Sequence, residues 1–296
     1  MKKVFNIGGV SFNSVIHLDE FPNPIPTTIH HCKFKETVGN TGAGKAVTLA
    51  KLGFDVTFHS LIGDDIYAEK IKLYLDQPNL KFIHDIDLNG TERHLNLMNK
   101  KGERISIFMN PMTDEPNIEY NKFDEVIKKS DFVVVNVSNY CRNVLPVCKS
   151  HHITIWTDLH DYDGHSEYHQ DFIAASDYIF LSSDNLKDYK IFMKKMIDRG
   201  KKLVVCTHGR KGATLLSQNG WIEVSAIKNY KVKDTNGAGD AFFSGFLYGF
   251  AKGCSLEKCM QYGTISGGLC IQSDFIASES LSSEILEQEY LKFYTK

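Results

Sequence analysis

Apolar segments of two different lengths alternate along most of this chain. The segments FVVVNVS (132–138), ITIWTD (153–158), YIFLS (178–182) and KLVVCT (202–207) are short and almost continuously apolar. Strands of this kind are typically covered on both faces, as in a parallel sheet. Longer stretches with helical periodicity separate them. The pattern therefore predicts an α/β fold, with a doubly wound, mostly parallel sheet flanked by helices.

The first third of the chain begins with the same alternation. VFNIGGV (4–10) and DVTFHSLIG (55–63) predict strands, and GKAVTLAKLG (44–53) predicts a helix that ends at its last glycine. Asp64 or Asp65 is expected to cap the next helix. Near the other end, 213–226 predicts a β-hairpin that turns at an Asn-Gly pair.

Residues 81–110 depart from this alternation of strands and helices. TERHLNLM and RISIFM alternate with period two on either side of NKKGE (99–103), which predicts a second β-hairpin. The stretch 21–30 carries three prolines and predicts irregular chain or a strand at a sheet edge. We therefore expect one domain over 1–296, with a small β lid formed by about 11–33 and 81–110.

Composition restricts the partners and the compartment. The 296 residues include 34 basic and 36 acidic side chains, a net charge of −2 that gives no electrostatic reason to expect nucleic acid or a membrane surface. No apolar run reaches the ~18 residues that a membrane span requires, and the apolar run at the N-terminus is too short for a signal peptide. The seven scattered cysteines contain no C-x-x-C pair, which favours a reducing, cytoplasmic location.

Two glycine turns share almost the same letters. GNTGAGKA (39–46) matches seven of the eight positions of a phosphate-binding P-loop, G-x-x-x-x-G-K-(S/T). Its last residue, Ala46, lacks the hydroxyl that such a loop uses to bind Mg²⁺. The second turn, NGAGDA (236–241), ends in an aspartate instead of a lysine. From these letters alone, 39–46 is either a degenerate P-loop or the start of a helix.

The second turn belongs to the strongest motif, KDTNGAGDAFFSGFLYGF (233–250). Gly237, Ala238 and Gly239 leave the backbone bare, so their N–H groups can approach an anion at the positive end of a helix. Asp240 follows and could accept a proton from a group that reacts with that anion. The alternative interpretation is an ordinary helix-start aspartate beside a tight turn.

This motif resembles the signature of the ribokinase-like (PfkB) carbohydrate kinases, D-T-N-G-A-G-D-A-F at 234–242. Segments 8–22, 36–65, 157–160 and 206–215 are similar to further family motifs and occur in the family's order. The resemblance therefore covers essentially the whole chain. It implies an ATP-dependent kinase that phosphorylates a hydroxyl of a sugar or sugar-like molecule, with Mg²⁺ and, in some members, a monovalent cation.

The resemblance also implies roles for individual residues. Asp240 would be the catalytic base, beside an anion hole formed by Gly237, Ala238 and Gly239. The substrate would be bound by Asn13, Gly39, Asn40 and Gly44. The nucleotide would be bound by Thr207, Gly209, Gly212 and Asn236.

Three departures from the family pattern bear on the substrate and the metal. Gly44 stands where the family usually has asparagine, and Ser11 and Asn13 stand where many sugar kinases have asparagine and aspartate. The family's N-x-x-E motif is absent near LSSDN (181–185), so the metal ligands are not identified.

Two other functions remain open. One is a nucleoside kinase of the same fold, for which Phe12 and Phe34 could stack on a base. The other is a catalytically weak relative that binds sugar or nucleotide. A homodimer through the β lid is a further expectation, because such dimers occur in the family.

Overall fold

A computed structural model describes residues 1–100 and 103–295, and within them the chain forms thirteen strands and nine α-helices. In chain order the strands are β1 (Lys3–Ile7), β2 (Ser11–His17), β3 (Lys33–Gly39), β4 (Asp55–Ile62), β5 (Leu80–Ile86), β6 (Arg93–Met98), β7 (Arg104–Asn110), β8 (Phe132–Val135), β9 (Ile155–Asp158), β10 (Tyr178–Ser182), β11 (Leu203–Thr207), β12 (Ala213–Ser217) and β13 (Gly220–Val224). The helices are α1 (Thr41–Lys51), α2 (Ile66–Leu75), α3 (Asp124–Lys129), α4 (Leu145–Ser150), α5 (Gln170–Ala175), α6 (Tyr189–Asp198), α7 (Ala238–Ala251), α8 (Leu256–Cys270) and α9 (Ser283–Tyr294).

Nine strands form one large sheet in the order β13-β12-β11-β10-β9-β8-β1-β4-β5. From β5 to β11 all neighbouring strands are parallel, and β12 and β13 add an antiparallel edge. The predicted α/β fold with a mostly parallel sheet is therefore confirmed. The hairpin over 213–226 is also present, as β12 and β13.

Helices cover both faces of the large sheet. On one face α1, α2, α7 and α8 bury a core that includes Trp156, Phe243 and Phe246. On the other face α3 to α6 bury a core that includes Phe123 and Phe172. Both faces of the central strands are thus covered, which explains why their sequences are continuously apolar.

A separate sheet of four strands, in the order β3-β2-β6-β7, lies outside the large one. Its β6 and β7 are antiparallel and correspond to the hairpin expected from TERHLNLM and RISIFM. The connection between them includes Lys101 and Gly102, which lie outside the described residues. The strands β2 and β6 are parallel neighbours, so the two chain segments that were expected to form the lid do meet.

The boundaries of the small sheet differ from the sequence prediction. Residues 80–86 form β5 and pair with β4 in the large sheet, because period-two alternation does not indicate which sheet a strand joins. Residues 33–39 form β3 and pair with β2 in the small sheet, although the start of this strand is mostly charged and its one apolar residue, Phe34, is exposed. Residues 21–30 form no strand.

Candidate active site

The signature turn is fixed where α7 begins. Gly237 is the N-cap residue, with φ of 77°, and a side chain there would collide with the carbonyl oxygen of Ile276. Asp234 accepts the Asn236 N–H at 2.9 Å and thereby holds the turn from its other side. Asp240 lies in the first turn of the helix. The turn thus combines a glycine-rich backbone, a helix N-terminus and a carboxylate, the elements needed near a reacting anion.

The first glycine turn lies directly against the second. Asn40 caps α1 with φ of 75°, and its side-chain oxygen accepts the Thr41 N–H at 2.8 Å. Four residues further on, a Cβ placed on Gly44 would stand 2.7 Å from Oδ2 of Asp240. The chain therefore brings a predicted substrate-side residue, Gly44, into contact with the predicted base, Asp240.

Lys45 rules out a P-loop arrangement in 39–46. Its side chain is fully buried, and its ammonium lies 2.6 Å from Oδ1 of Asp240 and 3.1 Å from Oδ2 of Asp158. A P-loop lysine points at phosphate oxygens, whereas this one is enclosed by carboxylates. Burial lowers the pKa of Lys45, but attraction to Asp240 and then to Asp158 outweighs burial and raises it above its usual value.

Asp158 stays ionised for the corresponding reason. Burial favours its protonated form, but attraction to Lys45 and then to His160 holds the pKa of Asp158 at about 2. Its carboxylate also accepts the His160 N–H at 3.0 Å. Asp158 ends β9, so it lies at the carboxyl edge of the parallel strands, where α/β sheets typically bind their ligands.

Two buried polar atoms near the first turn lack a hydrogen-bond partner among the described residues: Oγ of Ser11 and Oδ1 of Asn13. Ser11 is fully buried and Asn13 is 3% exposed. The amide of Asn13 occupies the space that a side chain on Gly39 would need. Buried hydroxyl and amide groups are rarely left unpaired, so these atoms are suited to bind the hydroxyl groups of a ligand.

Polar side chains on and beside β6 extend this region. Glu92 is 5% exposed, accepts from the Asn40 amide at 3.1 Å and lies 2.5 Å from Nε2 of His94. Asn96 faces the same way and accepts from the Ser106 hydroxyl at 2.7 Å. The sequence prediction omitted Glu92 and its neighbours. Period-two alternation does place His94 and Asn96 on one face, but it does not show that this polar face is the buried one.

The predicted nucleotide residues fall into two places. Thr207 ends β11, and Gly209 and Gly212 lie in the turn that leads into β12. Gly212 has φ of 104°, and a side chain there would collide with the carbonyl oxygen of Val224. A cavity of about 350 Å³ opens beside this turn, lined by residues that include His208 and Lys211. The fourth predicted residue, Asn236, lies instead in the signature turn.

The small sheet reaches the signature turn through two basic residues. Lys35 on β3 donates to Oδ2 of Asp234 at 3.1 Å and to the carbonyl oxygen of Asp274 at 2.7 Å. Arg104 on β7 donates to Oδ1 of Asn236 at 3.0 Å. These contacts connect the small sheet to Asp234 and Asn236, the residues that lead into the glycine turn.

No group of three or more His, Cys, Asp or Glu side chains within 1–100 and 103–295 is arranged to hold a metal ion. In the 181–185 segment, the Asn185 amide donates to the carbonyl oxygen of Asp161 at 3.0 Å and to its carboxylate at 3.2 Å. A search of the same residues for a helix of the length and apolarity needed to cross a bilayer finds none.

Sequence reasoning missed Lys45 and Asp158 as members of the site, together with a chain of buried amides behind them. Thr41 contacts Asn136 at 3.3 Å, and the Asn136 amide donates to Asn6 at 2.7 Å. Asn6 lies within β1 and Asn136 directly follows β8, and a polar residue in each of these apolar segments is the signal that could have revealed them.

Comparison with known proteins identifies the family of this chain. The profile of the pfkB family of carbohydrate kinases matches residues 1–279. The chain therefore belongs to the pfkB carbohydrate kinase family, whose fold is ribokinase-like, and it is a kinase of sugars or nucleosides.

Individual relatives span almost its full length. An acarbose 7(IV)-phosphotransferase from Actinoplanes sp. is 29% identical over 274 residues, covering 89% of this chain and 90% of the relative. A nucleoside kinase from Methanocaldococcus jannaschii is 23% identical over 284 residues, covering 92% of this chain and 91% of that one. The crystal structure of a microbiome-derived acarbose kinase superposes with a TM-score of 0.86 at 26% identity, covering 97% and 98% of the two chains.

Proposed function

We propose that this kinase transfers the γ-phosphoryl group of ATP to a hydroxyl of a sugar or sugar-like molecule, with Asp240 as the base. The observation that carries the proposal is the position of Asp240. It stands in the first turn of α7, beside the amides of 237–239, and touches Gly44 in the other glycine turn. A carboxylate placed between an anion-binding turn and an acceptor-binding turn can take a proton as the phosphoryl group arrives.

The proposed step transfers one phosphoryl group and one proton. The acceptor oxygen forms a bond to the γ-phosphorus, and its proton passes to the Asp240 carboxylate. The bond between the γ-phosphorus and the bridging oxygen breaks, and ADP leaves with that electron pair. Amides of Gly237, Ala238 and Gly239 would stabilise the charge on the moving phosphoryl group.

The unpaired buried atoms support a hydroxyl-rich acceptor. Oγ of Ser11 and Oδ1 of Asn13 lack partners among the described residues, and Glu92 and His94 add further polar groups beside Asn40. Gly39, Asn40 and Gly44 would line the same region. Two relatives of this chain are named for acarbose, a large sugar-like molecule, and acarbose therefore belongs among the first acceptors to test.

ATP would extend from the signature turn, at Asn236, towards the turn that contains Thr207, Gly209 and Gly212. Mg²⁺ would arrive with the nucleotide and neutralise charge on its phosphates. Mg²⁺ in kinases is commonly held by phosphates, waters and only one or two carboxylates, so the absence of a carboxylate cluster from the described residues is compatible with it. The exposed Asp184, which follows β10, is the acidic residue we propose for this role.

A nucleoside acceptor is the second candidate, favoured by the similarity to the Methanocaldococcus jannaschii nucleoside kinase. The aromatic residues considered for base stacking give it less support. Phe12 is 7% exposed, and its ring packs against Tyr67 and lies under the ammonium of Lys70. Phe34 is 61% exposed.

The test combines an acceptor panel with a base variant. ADP release is measured with acarbose, simple sugars, sugar phosphates and nucleosides, and Asp240→Asn is then assayed with the best acceptor. We expect a loss of about 10²–10⁴-fold in kcat, the usual contribution of a general base. Asp124→Asn is the control, because Asp124 also lies in the first turn of a helix but on the other face of the sheet. Activity of Asp240→Asn within a few-fold of the parent would refute the assigned base.

The homodimer through the small sheet remains a proposal. Ile105, Ile107 and Met109 alternate along β7 and are each more than 40% exposed, so they share an apolar face that a second copy of the chain could cover. Sedimentation of the parent and of Ile107→Glu would show whether this face mediates association.

A further inference from the structure

Lys45 has no hydrogen-bonding capacity left for a ligand. Its ammonium donates to Oγ1 of Thr41 at 2.6 Å and to Oδ1 of Asp240 at 2.6 Å, and lies 3.1 Å from Oδ2 of Asp158. A lysine ammonium has three N–H donors, and these three acceptors use all of them. Lys45 therefore acts on other protein groups and does not bind phosphate or substrate.

Two charged side chains form a chain of contacts that leads to the proposed base, since Lys45 contacts both Asp240 and Asp158. The formal charges of Lys45 and Asp158 are +1 and −1 and sum to zero. The other titratable groups nearby are His160, whose Nδ1 lies 3.6 Å from Asp158, and Cys270. Burial, followed by the charges of Asp240 and Asp234, raises the pKa of Cys270 to about 12, so this thiol is neutral. Of these groups, Lys45 is the one that contacts the Asp240 carboxylate with a positive charge.

The contacts also distinguish the two oxygens of the Asp240 carboxylate. Oδ1 is held by Lys45, whereas Oδ2 faces Gly44, where the missing side chain leaves room. The oxygen available to take a proton is thus directed towards the proposed acceptor region. The Thr41 hydroxyl accepts from the Lys45 ammonium and donates to Asn136, and this second contact holds the hydroxyl in place.

We propose that Lys45 is a positioning residue that keeps Asp240 ionised and turns its Oδ2 towards the acceptor, while Asp158 fixes the lysine from the opposite side. This inference rests on the proposed function, in which Asp240 is the base. Without Lys45, the carboxylates of Asp158 and Asp240 would lose the ammonium that both of them contact, and like charges on neighbouring carboxylates favour protonation of one of them. A protonated Asp240 cannot accept the acceptor's proton.

The test measures how kcat/KM depends on pH. In Lys45→Met we expect the acid limb to move up by roughly one pH unit or more, because an opposite charge at this distance typically lowers a carboxyl pKa by about 1–3 units. In Lys45→Met/Asp158→Asn the charge surrounding Asp240 is again zero. The acid limb of the double variant should therefore return towards that of the parent.

Two comparisons make the outcome decisive. Lys252→Met is the control, since Lys252 also contacts a carboxylate, Glu287 at 2.6 Å, but lies at the far end of α7. The inference would be overturned if the acid limb of Lys45→Met lay at the same pH as that of the parent. It would also be overturned if the acid limb of the double variant lay at the same pH as that of Lys45→Met. If Lys45→Met does not fold, the comparison of the double variant with Asp158→Asn decides. These two variants differ only at residue 45, so the acid limb of the double variant must lie at the higher pH. Acid limbs at the same pH would refute the role of Lys45.

Asp240→Asn separates this inference from the proposed function. A fully active Asp240→Asn would show that the base is assigned wrongly, whatever the Lys45 variants do. An inactive Asp240→Asn together with an unmoved Lys45→Met profile would leave the base in place and refute the role of Lys45 alone.

Discussion

Gly44 and Asp240 lie so close together that a methyl group on residue 44 would stand 2.7 Å from the carboxylate Oδ2. The other carboxylate oxygen is held by Lys45 at 2.6 Å, so the group cannot rotate away without breaking an ion pair. The two glycine turns of the chain are thus interlocked, because the aspartate of one requires the glycine of the other.

Gly44→Ala should therefore impair catalysis more than folding. We expect kcat to fall by about tenfold or more, which corresponds to about 1.4 kcal/mol in the barrier, because the carboxylate must turn or its ion pair must lengthen. The midpoint of thermal unfolding should change little, since alanine is favoured over glycine inside a helix by about 1 kcal/mol. Lys51→Ala, at the end of the same helix, is the control. An unchanged kcat in Gly44→Ala would show that residue 44 does not constrain the carboxylate.

Ser11→Ala should raise the KM for the acceptor without destabilising the protein. The Ser11 hydroxyl is buried and unpaired among the described residues, so its removal leaves no new unsatisfied group. A lost hydrogen bond to the acceptor costs about 0.5–1.5 kcal/mol, which corresponds to a KM increase of roughly 2–10-fold.

Ser266→Ala is the matched control for Ser11→Ala. Its hydroxyl is also buried and unpaired among residues 1–100 and 103–295, but it lies on α8, against Gly245. Ser266→Ala should leave KM unchanged. Equal KM values for all three proteins would place Ser11 outside the acceptor site.

Asp158 should contribute stability that disappears in acid. Its pKa is about 2 in the folded chain, below the value of about 3.9 expected for an unfolded aspartate. Because the folded pKa is depressed, the contribution is complete above about pH 4–5 and is lost as the pH falls towards 2. The free energy of unfolding of Asp158→Asn, measured by urea titration, should lie below that of the parent at pH 7 and approach it towards pH 2.

The difference in unfolding free energy between Asp158→Asn and the parent has an expected upper limit, and a second variant serves as its control. Breaking a buried ion pair typically costs about 3–5 kcal/mol, and the cost here should be smaller because Lys45 keeps Asp240 as a partner. Glu125→Gln removes an exposed ion pair with Lys129 and should change stability little, because water and salt screen such a pair. A pH-independent difference between Asp158→Asn and the parent would contradict the assigned ionisation.

Lys35→Met should loosen the proposed lid. Lys35 connects β3 to Asp234 and to the carbonyl oxygen of Asp274, so its loss removes one of the two basic contacts between the small sheet and the signature turn. We expect ADP release without acceptor to rise relative to productive transfer by about 3–10-fold, because water reaches the site more easily. Lys33→Met, an exposed lysine on the same strand, is the control. If the ratio of acceptor-independent ADP release to productive transfer stays at the parent's value in Lys35→Met, this contact does not restrain the small sheet.

Local pattern predicted much of the fold. Continuous apolar runs located β8 to β11, and Asp65 caps α2 as expected, accepting two backbone N–H groups at 2.9 Å. These features depend on neighbours in sequence, which a single chain displays. The partition of strands between the two sheets could not be predicted, because β3 and β5 join sheets through contacts with residues that alternation does not identify.

The candidate site was predictable where a motif carried it and unpredictable where distant segments meet. The Asp240 turn has a recognisable sequence. The pairing of Lys45 with Asp158 joins residues 113 positions apart (158 − 45), on a helix and a strand that no local pattern connects. The glycine at 44 looked like a departure from the family pattern, and the position of the Asp240 carboxylate now gives it a steric reason.

The contacts among Gly44, Lys45, Asp158 and Asp240 restrict the order in which these positions can diverge over generations. Losing Lys45 first would leave the carboxylates of Asp158 and Asp240 without the ammonium that both contact, whereas losing Asp158 first leaves a neutral pair. A larger residue at 44 becomes tolerable only after the ion pair that fixes Asp240 is gone. Descendants of this sequence should therefore change at 158 before 45, and at 45 before 44, and a lineage that retains the lysine should retain the glycine in front of it.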